Sequence, residues 1–186
     1  IIMLICLIFT SMAIVKEREQ GTMEQLMVTP IRPLELILGK TIPSIAVGFF
    51  DMALVLVVGI FWFDIPLRGS IALLILCTAI YLLSVLGIGL FLSTISKTQQ
   101  QALMLTLMFF VPSMLLSGFM FPIENMPDFF QYVTYLNPLR YFLIIIRGIF
   151  LKGSGIAILW PEMAALFVIG LTVMLLSVNR FRKRLA

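Results

Sequence analysis

The chain has 186 residues, 61% of them hydrophobic and only 12% charged, with a mean hydropathy of +1.13, where soluble domains run at about 45–50% apolar and about 25% charged. A soluble domain of this size needs a polar shell that this sequence cannot supply, so that class is excluded. There is no histidine, which removes imidazole ligands, a histidine base and histidine pH switching. The net charge of +4 is carried by residues at the edges of apolar runs, not by a patch suited to nucleic acid. Uncharged stretches at 69–92, 102–121 and 163–179 approach or exceed the roughly 20 residues that cross a bilayer core. The fold class is therefore all-α, a polytopic helical membrane protein. The runs are continuous and not alternating, which excludes a β-barrel.

Five spans are expected, over about 1–15, 41–63, 69–92, 102–121 and 158–179. The first residue is Ile1 and no charged leader precedes the first apolar run, so the sequence reads as a fragment that begins inside a transmembrane helix. One set of alternate sides holds Lys16, Arg18, Arg32, Lys40, Lys97, Arg180, Arg182, Lys183 and Arg184, and the other holds Arg68, Arg140, Arg147 and Lys152. The asymmetry predicts that 16–40, 93–101 and the C-terminal tail are cytoplasmic. Cys6 and Cys77 sit within apolar spans without metal or redox spacing and read as small buried hydrophobes.

Residues 16–40 (KEREQGTMEQLMVTPIRPLELILGK) are the most polar stretch. Gly21 breaks the helix after Lys16–Glu19, and Thr22 with Gln25 has capping-box spacing for a short helix over about 23–28. Thr29-Pro30 ends that helix, and Pro33 opens the next one with Glu35 in its first turn. Two readings remain open: a solvated connector whose charges set topology, or a rigid knob that docks into another protein. Gly39-Lys40-Thr41 imitates the end of a phosphate-binding loop, but Leu34 stands where the motif needs glycine. The chain carries no nucleotide site, and any ATP that drives it is bound by a partner.

Within the spans, Asp51 is expected about 15 Å from Thr41, near the midplane. A carboxylate there is either a functional group or a packing hydrogen-bonder. Pro112 predicts a kink in the fourth span, and Ser113 and Ser117, one turn apart, are placed to bridge neighbouring helices. The 16 Phe and 12 Met suit lipophilic cargo and ordinary core packing equally well. Nothing resembles a nucleophile–base pair or metal cluster, so no catalytic, cofactor or metal residues are assigned.

Residues 122–157 are too broken to span. Pro127-Asp128 opens a short helix bearing Phe129, Phe130, Tyr132 and Tyr135, and Asn137-Pro138 supplies the N-cap and first turn of a second over about 139–151, with Arg140 and Arg147 on one face. These helices lie in, or dip back from, the outer interface. They form either an aromatic belt or a lid over a translocation path.

Three segments together resemble the permease subunit of ABC-2 type transporters, in their bacterial multidrug-export branch: residues 16–26 (KEREQGTMEQL), 116–127 (LSGFMFPIENMP), and 135–142 (YLNPLRYF) with 147–152 (RGIFLK). The resemblance covers essentially the whole chain. It implies a type V-like exporter transmembrane domain lacking its first span and extracytoplasmic domain. It also implies a dimeric permease core, a homo- or heterodimer, carrying ABC ATPase subunits that bind ATP and Mg, in a bacterial inner membrane. Glu17, Arg18, Glu19, Thr22, Glu24 and Gln25 then belong to the ATPase-coupling loop. Family members often work with a periplasmic membrane-fusion adaptor and an outer-membrane channel. Export of amphipathic compounds is the leading reading. An ion-coupled carrier using Asp51, a non-transporting scaffold, and an ABC-2 exporter of lipid, polysaccharide or ion are the alternatives.

Overall fold

The structure, a computed structural model, describes residues 1–21, 33–65 and 68–185. They form seven α-helices and no strand: α1 (Ile2–Glu19), α2 (Pro33–Phe61), α3 (Ile71–Ile95), α4 (Gln99–Leu115), α5 (Asp128–Thr134), α6 (Pro138–Arg147) and α7 (Ile156–Leu185). Among the described residues, three segments are long and apolar enough to cross a membrane, Leu38–Phe61, Ile71–Ile95 and Ile156–Arg180. The first and fourth expected spans are α1, with 18 residues, and α4, with 17, about 27 and 25 Å long. The expected fourth span ran to 121, whereas α4 stops at Leu115. Pro112 accordingly lies in its last turn and does not divide a longer helix. Pro33 is the first residue of α2. The expected helix over 23–28, its capping box and the Pro30 corner lie outside the described residues.

Helix α3 is the axis of the bundle: α7, α1, α6, α2 and α4 all pack on it. Its span is 56% buried, against 11% for α2 and 22% for α7. The physical reason is composition. Lipid is as apolar as leucine, so helices associate in a bilayer through close backbone approach and polar ties, and α3 offers Ser84, Gly87, Gly89, Ser93 and Thr94, all buried. Ser84 Oγ donates to Leu166 O of α7 at 3.1 Å, and Ser177 Oγ of α7 returns the bond to Gly87 O at 2.7 Å. A side chain at Gly87 would strike the backbone N of Met174 at 3.0 Å. On the opposite side, Gly89 packs on Thr10 of α1, and Ser11 of α1 shares a 3.0 Å hydroxyl bond with Thr106 of α4.

Helix α6 runs alongside α3 in the reverse direction. Its Phe142 stacks on Tyr81, with ring centroids 3.9 Å apart and planes 3° from parallel. One end of α6 continues as a π-turn, Gly148–Lys152, with Ile149 against Gly69 just before α3, and is stopped by Gly153 in the left-handed region (φ 62°) against Arg68. Tyr81 lies ten residues, about 15 Å, along α3 from Ile71. The helix therefore enters the bundle at the Arg68 end and dips toward its middle. Phe142, Ile145 and Ile149 are buried in that contact.

Candidate functional site

The charged residues at the end of α1 reach three different neighbours. Glu17 forms an ion pair with Lys40 on α2, half shielded from solvent. Arg18 Nη1 donates to Ser96 O, at the C-terminus of α3, at 3.4 Å. Glu19 Oε2 accepts from the backbone N of Gln99 at 3.1 Å and from its Nε2 at 3.0 Å, at the N-terminus of α4. Four helix ends thus meet around residues 17–19. On the same end, Arg180 of α7 lies over the Phe91 ring, 5.4 Å from its centroid. The residues expected to present charge to a partner are in large part spent on the protein itself. Thr22, Glu24 and Gln25, the rest of that expected set, lie outside the described residues.

Glu19 is an anion at a helix N-terminus, where unpaired N–H groups and the helix dipole favour negative charge. The Gln99 backbone N–H first, and its side-chain amide second, hold the Glu19 carboxyl below the usual glutamate range. A folded value below the unfolded one means that the tie contributes fully at neutral pH and is lost as pH falls through the folded value. The protection of the Gln99 amide hydrogen, its exchange rate relative to the unfolded chain at the same pH, should therefore hold from neutral pH down to the ordinary glutamate range and fall only in stronger acid. Loss of protection near neutrality would contradict the contact.

The interior residues separate from one another. Asp51 lies in α2, with Oδ2 shut from solvent and without a hydrogen-bond partner. About two turns earlier, Ser44 O accepts from Cys6 Sγ of α1 at 3.5 Å. Pro112, Ser113 and Ser117 sit at the other end of α4. The hydroxyls of Ser113 and Ser117 were expected to bridge helices. Instead they bond back to Phe109 O at 2.8 Å and Met114 O at 2.6 Å, within their own segment. Short hydroxyl side chains reach the preceding turn more easily than a neighbouring helix. The bridge runs through the Ser113 carbonyl, which accepts from Asn137 Nδ2 at 2.7 Å.

At the start of α6, Asn137 caps the helix by accepting from Leu139 N at 3.1 Å, with Pro138 in the first turn. Arg140 donates to Thr134 Oγ1 and lies over the Tyr135 ring, 4.2 Å from its centroid. Arg147 donates to Gly118 O at 3.3 Å. Both arginines therefore tie α6 to the segment that follows α4. Arg140 also lines a small polar cavity of about 170 Å³ with Asp128, Gln131, Tyr132 and Tyr135. Tyr141 donates to Tyr135 O at 3.0 Å, and burial pushes its phenol upward. Two apolar cavities, of about 500 and 490 Å³, lie on either side of Phe142 and Ile146. One reaches Arg147 and Leu74, the other Tyr81 and Met114. Among the described residues no group of His, Cys, Asp and Glu could hold a metal ion.

Sequence reasoning missed Gln99 and Lys40 as partners of the charged run, and passed over Glu162. Glu162 lies in α7 with Oε2 buried and unpartnered. The signal for Glu162 was present, an acid five residues into an expected span. The partners of residues 17–19 had no local signal, because they come from helix ends as far as 80 residues away.

The ABC-2 type transporter family matches residues 1–151. The chain belongs to this family. Relatives of this ABC-2 chain include the probable multidrug ABC transporter permease YbhR of Escherichia coli (strain K12), 39% identical over 178 residues, which cover 96% of the chain and 48% of that protein. The probable multidrug ABC transporter permease YbhS of the same organism is 40% identical over 171 residues, 89% of the chain and 45% of its own length. The inner membrane transport permease YhhJ, again from Escherichia coli (strain K12), is 32% identical over 98% of the chain and 49% of itself. The chain spans about half the length of these curated relatives. Helix α6 packed along α3 and the junction around residues 17–19 are thus features of an ABC-2 membrane domain.

Proposed function

We propose that the whole protein is the permease subunit of an ATP-driven exporter that moves amphipathic compounds out across a bacterial inner membrane. The observation that carries this reading is the 39% identity, over 96% of the chain, to a protein named a probable multidrug ABC transporter permease. Two apolar cavities of drug size, beside the re-entrant helix, suit lipophilic cargo. The junction around Glu17–Glu19 then faces the cytoplasm, as does the C-terminus, because Arg18, Lys40, Lys97 and Arg180 gather at that end. ATP and Mg are bound by a partner ABC ATPase, which docks on the loop from residue 16 to 40. A second permease subunit completes the path, and a periplasmic adaptor and outer-membrane channel extend it.

The test uses the full-length protein, purified with the ATPase encoded beside it and reconstituted in nanodiscs. Stable association and ATP hydrolysis are expected. Reversing Glu24 (Glu24→Lys) should weaken both without lowering thermal stability. Reversal at residues 17–19 would not be diagnostic, because those charges also hold helices together. Absence of any associated ATPase, with transport indifferent to ATP, would overturn the reading.

A second reading has one observation in its favour, the shut and unpartnered Oδ2 of Asp51 inside a membrane-length helix, since an intramembrane carboxylate is a functional candidate. Asp51→Asn separates the two. Substantial ATP-dependent transport should persist in the variant, whereas an ion-coupled carrier using this residue would be inactive.

A further inference from the structure

Every α-helix leaves backbone N–H groups unpaired at its start and C=O groups unpaired at its end, and something must satisfy them. At α4 both ends are served by side chains from other elements. At the start, besides the Thr98 cap that accepts from Gln101 N at 3.2 Å, the free N–H of Gln99 is taken by Glu19 of α1. At the finish, Leu116 N bonds Pro112 O and Ser117 N bonds Met114 O, while the carbonyl between them, on Ser113, is taken by Asn137. Thr106, midway, is bonded to Ser11 of α1. Gln99, Thr106 and Ser113 are spaced by seven residues, so the three attachments lie along one stripe of the helix. Leu105, Phe109 and Phe110 pack against the core beside that stripe, while Met104, Met108 and Val111 on the remaining face are exposed.

We propose that α4 is the rod that carries a displacement of the charged loop end to the re-entrant helix, with Glu19 and Asn137 as the positioning residues at its two ends. This rests on the ATP-driven reading above. The physical ground is that α4 is joined to other elements by directional bonds at its start, middle and end along one stripe, and a hydrogen-bonded helix keeps its length, so a shift of one end is passed to the other. The Asn137 tie is costly to break because it satisfies a buried carbonyl, and the exposed Glu19 carboxylate grips Gln99 by two bonds at once, to its backbone N–H and its side-chain amide. Movement of Glu19 therefore takes the start of α4 with it, and the far end takes Asn137, the first turn of α6 and the Phe142–Tyr81 stack. That stack borders both apolar cavities. A motion at the ATPase side is thereby delivered to the walls of the space where cargo fits.

The experiment uses the full-length protein with its ATPase in nanodiscs and a reporter thiol at the exposed outer position Tyr132 (Tyr132→Cys), whose reactivity toward a membrane-impermeant maleimide is read with and without trapped ATP. Asn137→Ser retains an N-cap for α6, since serine caps as well as asparagine, but is too short to reach Ser113. Asn137→Asp also caps while repelling that carbonyl. Both Asn137 variants should cut the ATP-dependent change in reactivity about fivefold or more while ATP hydrolysis continues at the parent rate, and Glu19→Ala should cut the same change when it is read per ATP hydrolysed. A rod also predicts that Glu19→Ala combined with Asn137→Ser is no worse than either alone. Retention of the full ATP response in the single variants, or multiplication of their effects in the double variant, would overturn the proposal. A parent protein that hydrolyses no ATP and shows no response to it would overturn the exporter reading, and the rod with it.

Discussion

Gly170→Ala is expected to destabilise the protein although alanine is the better helix former. The propensity gain is about 1 kcal/mol. Against it, a Cβ at position 170 would lie 2.6 Å from Ser84 Oγ, 3.2 Å from Ser84 N and 3.4 Å from Ser84 Cα. The first contact can be relieved only by rotating a hydroxyl that is bonded to Leu166 O, and the other two only by separating α3 from α7. Overpacking of this kind costs about 1–3 kcal/mol, so the clash wins, and Gly170→Leu should yield no folded protein. The companion change Ser84→Ala removes the nearest atom and should return part of the stability to Gly170→Ala, the contact with Ser84 N remaining. Thermal melting of the full-length protein in detergent reads Gly170→Ala with and without Ser84→Ala, and the yield of folded protein reads Gly170→Leu. A Gly170→Ala variant that melts with the parent would show that the α3–α7 contact is looser than the geometry says.

The second large effect concerns the ion pair of Glu17 and Lys40. Lys40→Glu sets two carboxylates against each other in a half-shielded site. It should cost about 1.5–3 kcal/mol, the range for losing a charge-assisted hydrogen bond, and should impair ATP-driven transport because α1 and α2 are no longer held in register. The exchanged pair Glu17→Lys with Lys40→Glu should recover stability. Transport by the exchanged pair then distinguishes two roles. If the pair serves only to join helices, transport recovers as well. If Glu17 also contacts the ATPase, stability returns while coupling stays low. Each single reversal should weaken further in low salt and less in high salt, since the pair is partly exposed.

Much of the architecture was legible because a bilayer leaves few options. Backbone polar groups in hydrocarbon must be satisfied internally, so long uncharged runs at 69–92 and 163–179 had to be helices. The Asn137-Pro138 start of α6 was legible for the same local reason, since the cap and the fixed proline φ act within one turn. The end of α4 was not. Apolarity continues to residue 121, but the last carbonyls are satisfied by Asn137 from beyond the next turn, so the helix can stop at Leu115 where apolar content alone would carry it on. The fate of Ser113 and Ser117 was hidden similarly. Sequence says that a hydroxyl is present, and only geometry decides between the preceding turn and a neighbouring helix.

The charged run Lys16–Glu19 shows where the boundary falls. Composition determined by itself that this is a helical membrane protein and that its most polar stretch is 16–40, although the first and last parts of that stretch are helical, in α1 and α2. These properties depend on transfer between water and lipid, which is additive along the chain. Which helix end each of Glu17, Arg18 and Glu19 would grip was decided only by the tertiary structure. Those partners, Lys40, Ser96 and Gln99, are brought to one place by the packing of α2, α3 and α4 around α1, and a contact between residues as far as 80 apart leaves no periodicity in the sequence to announce it.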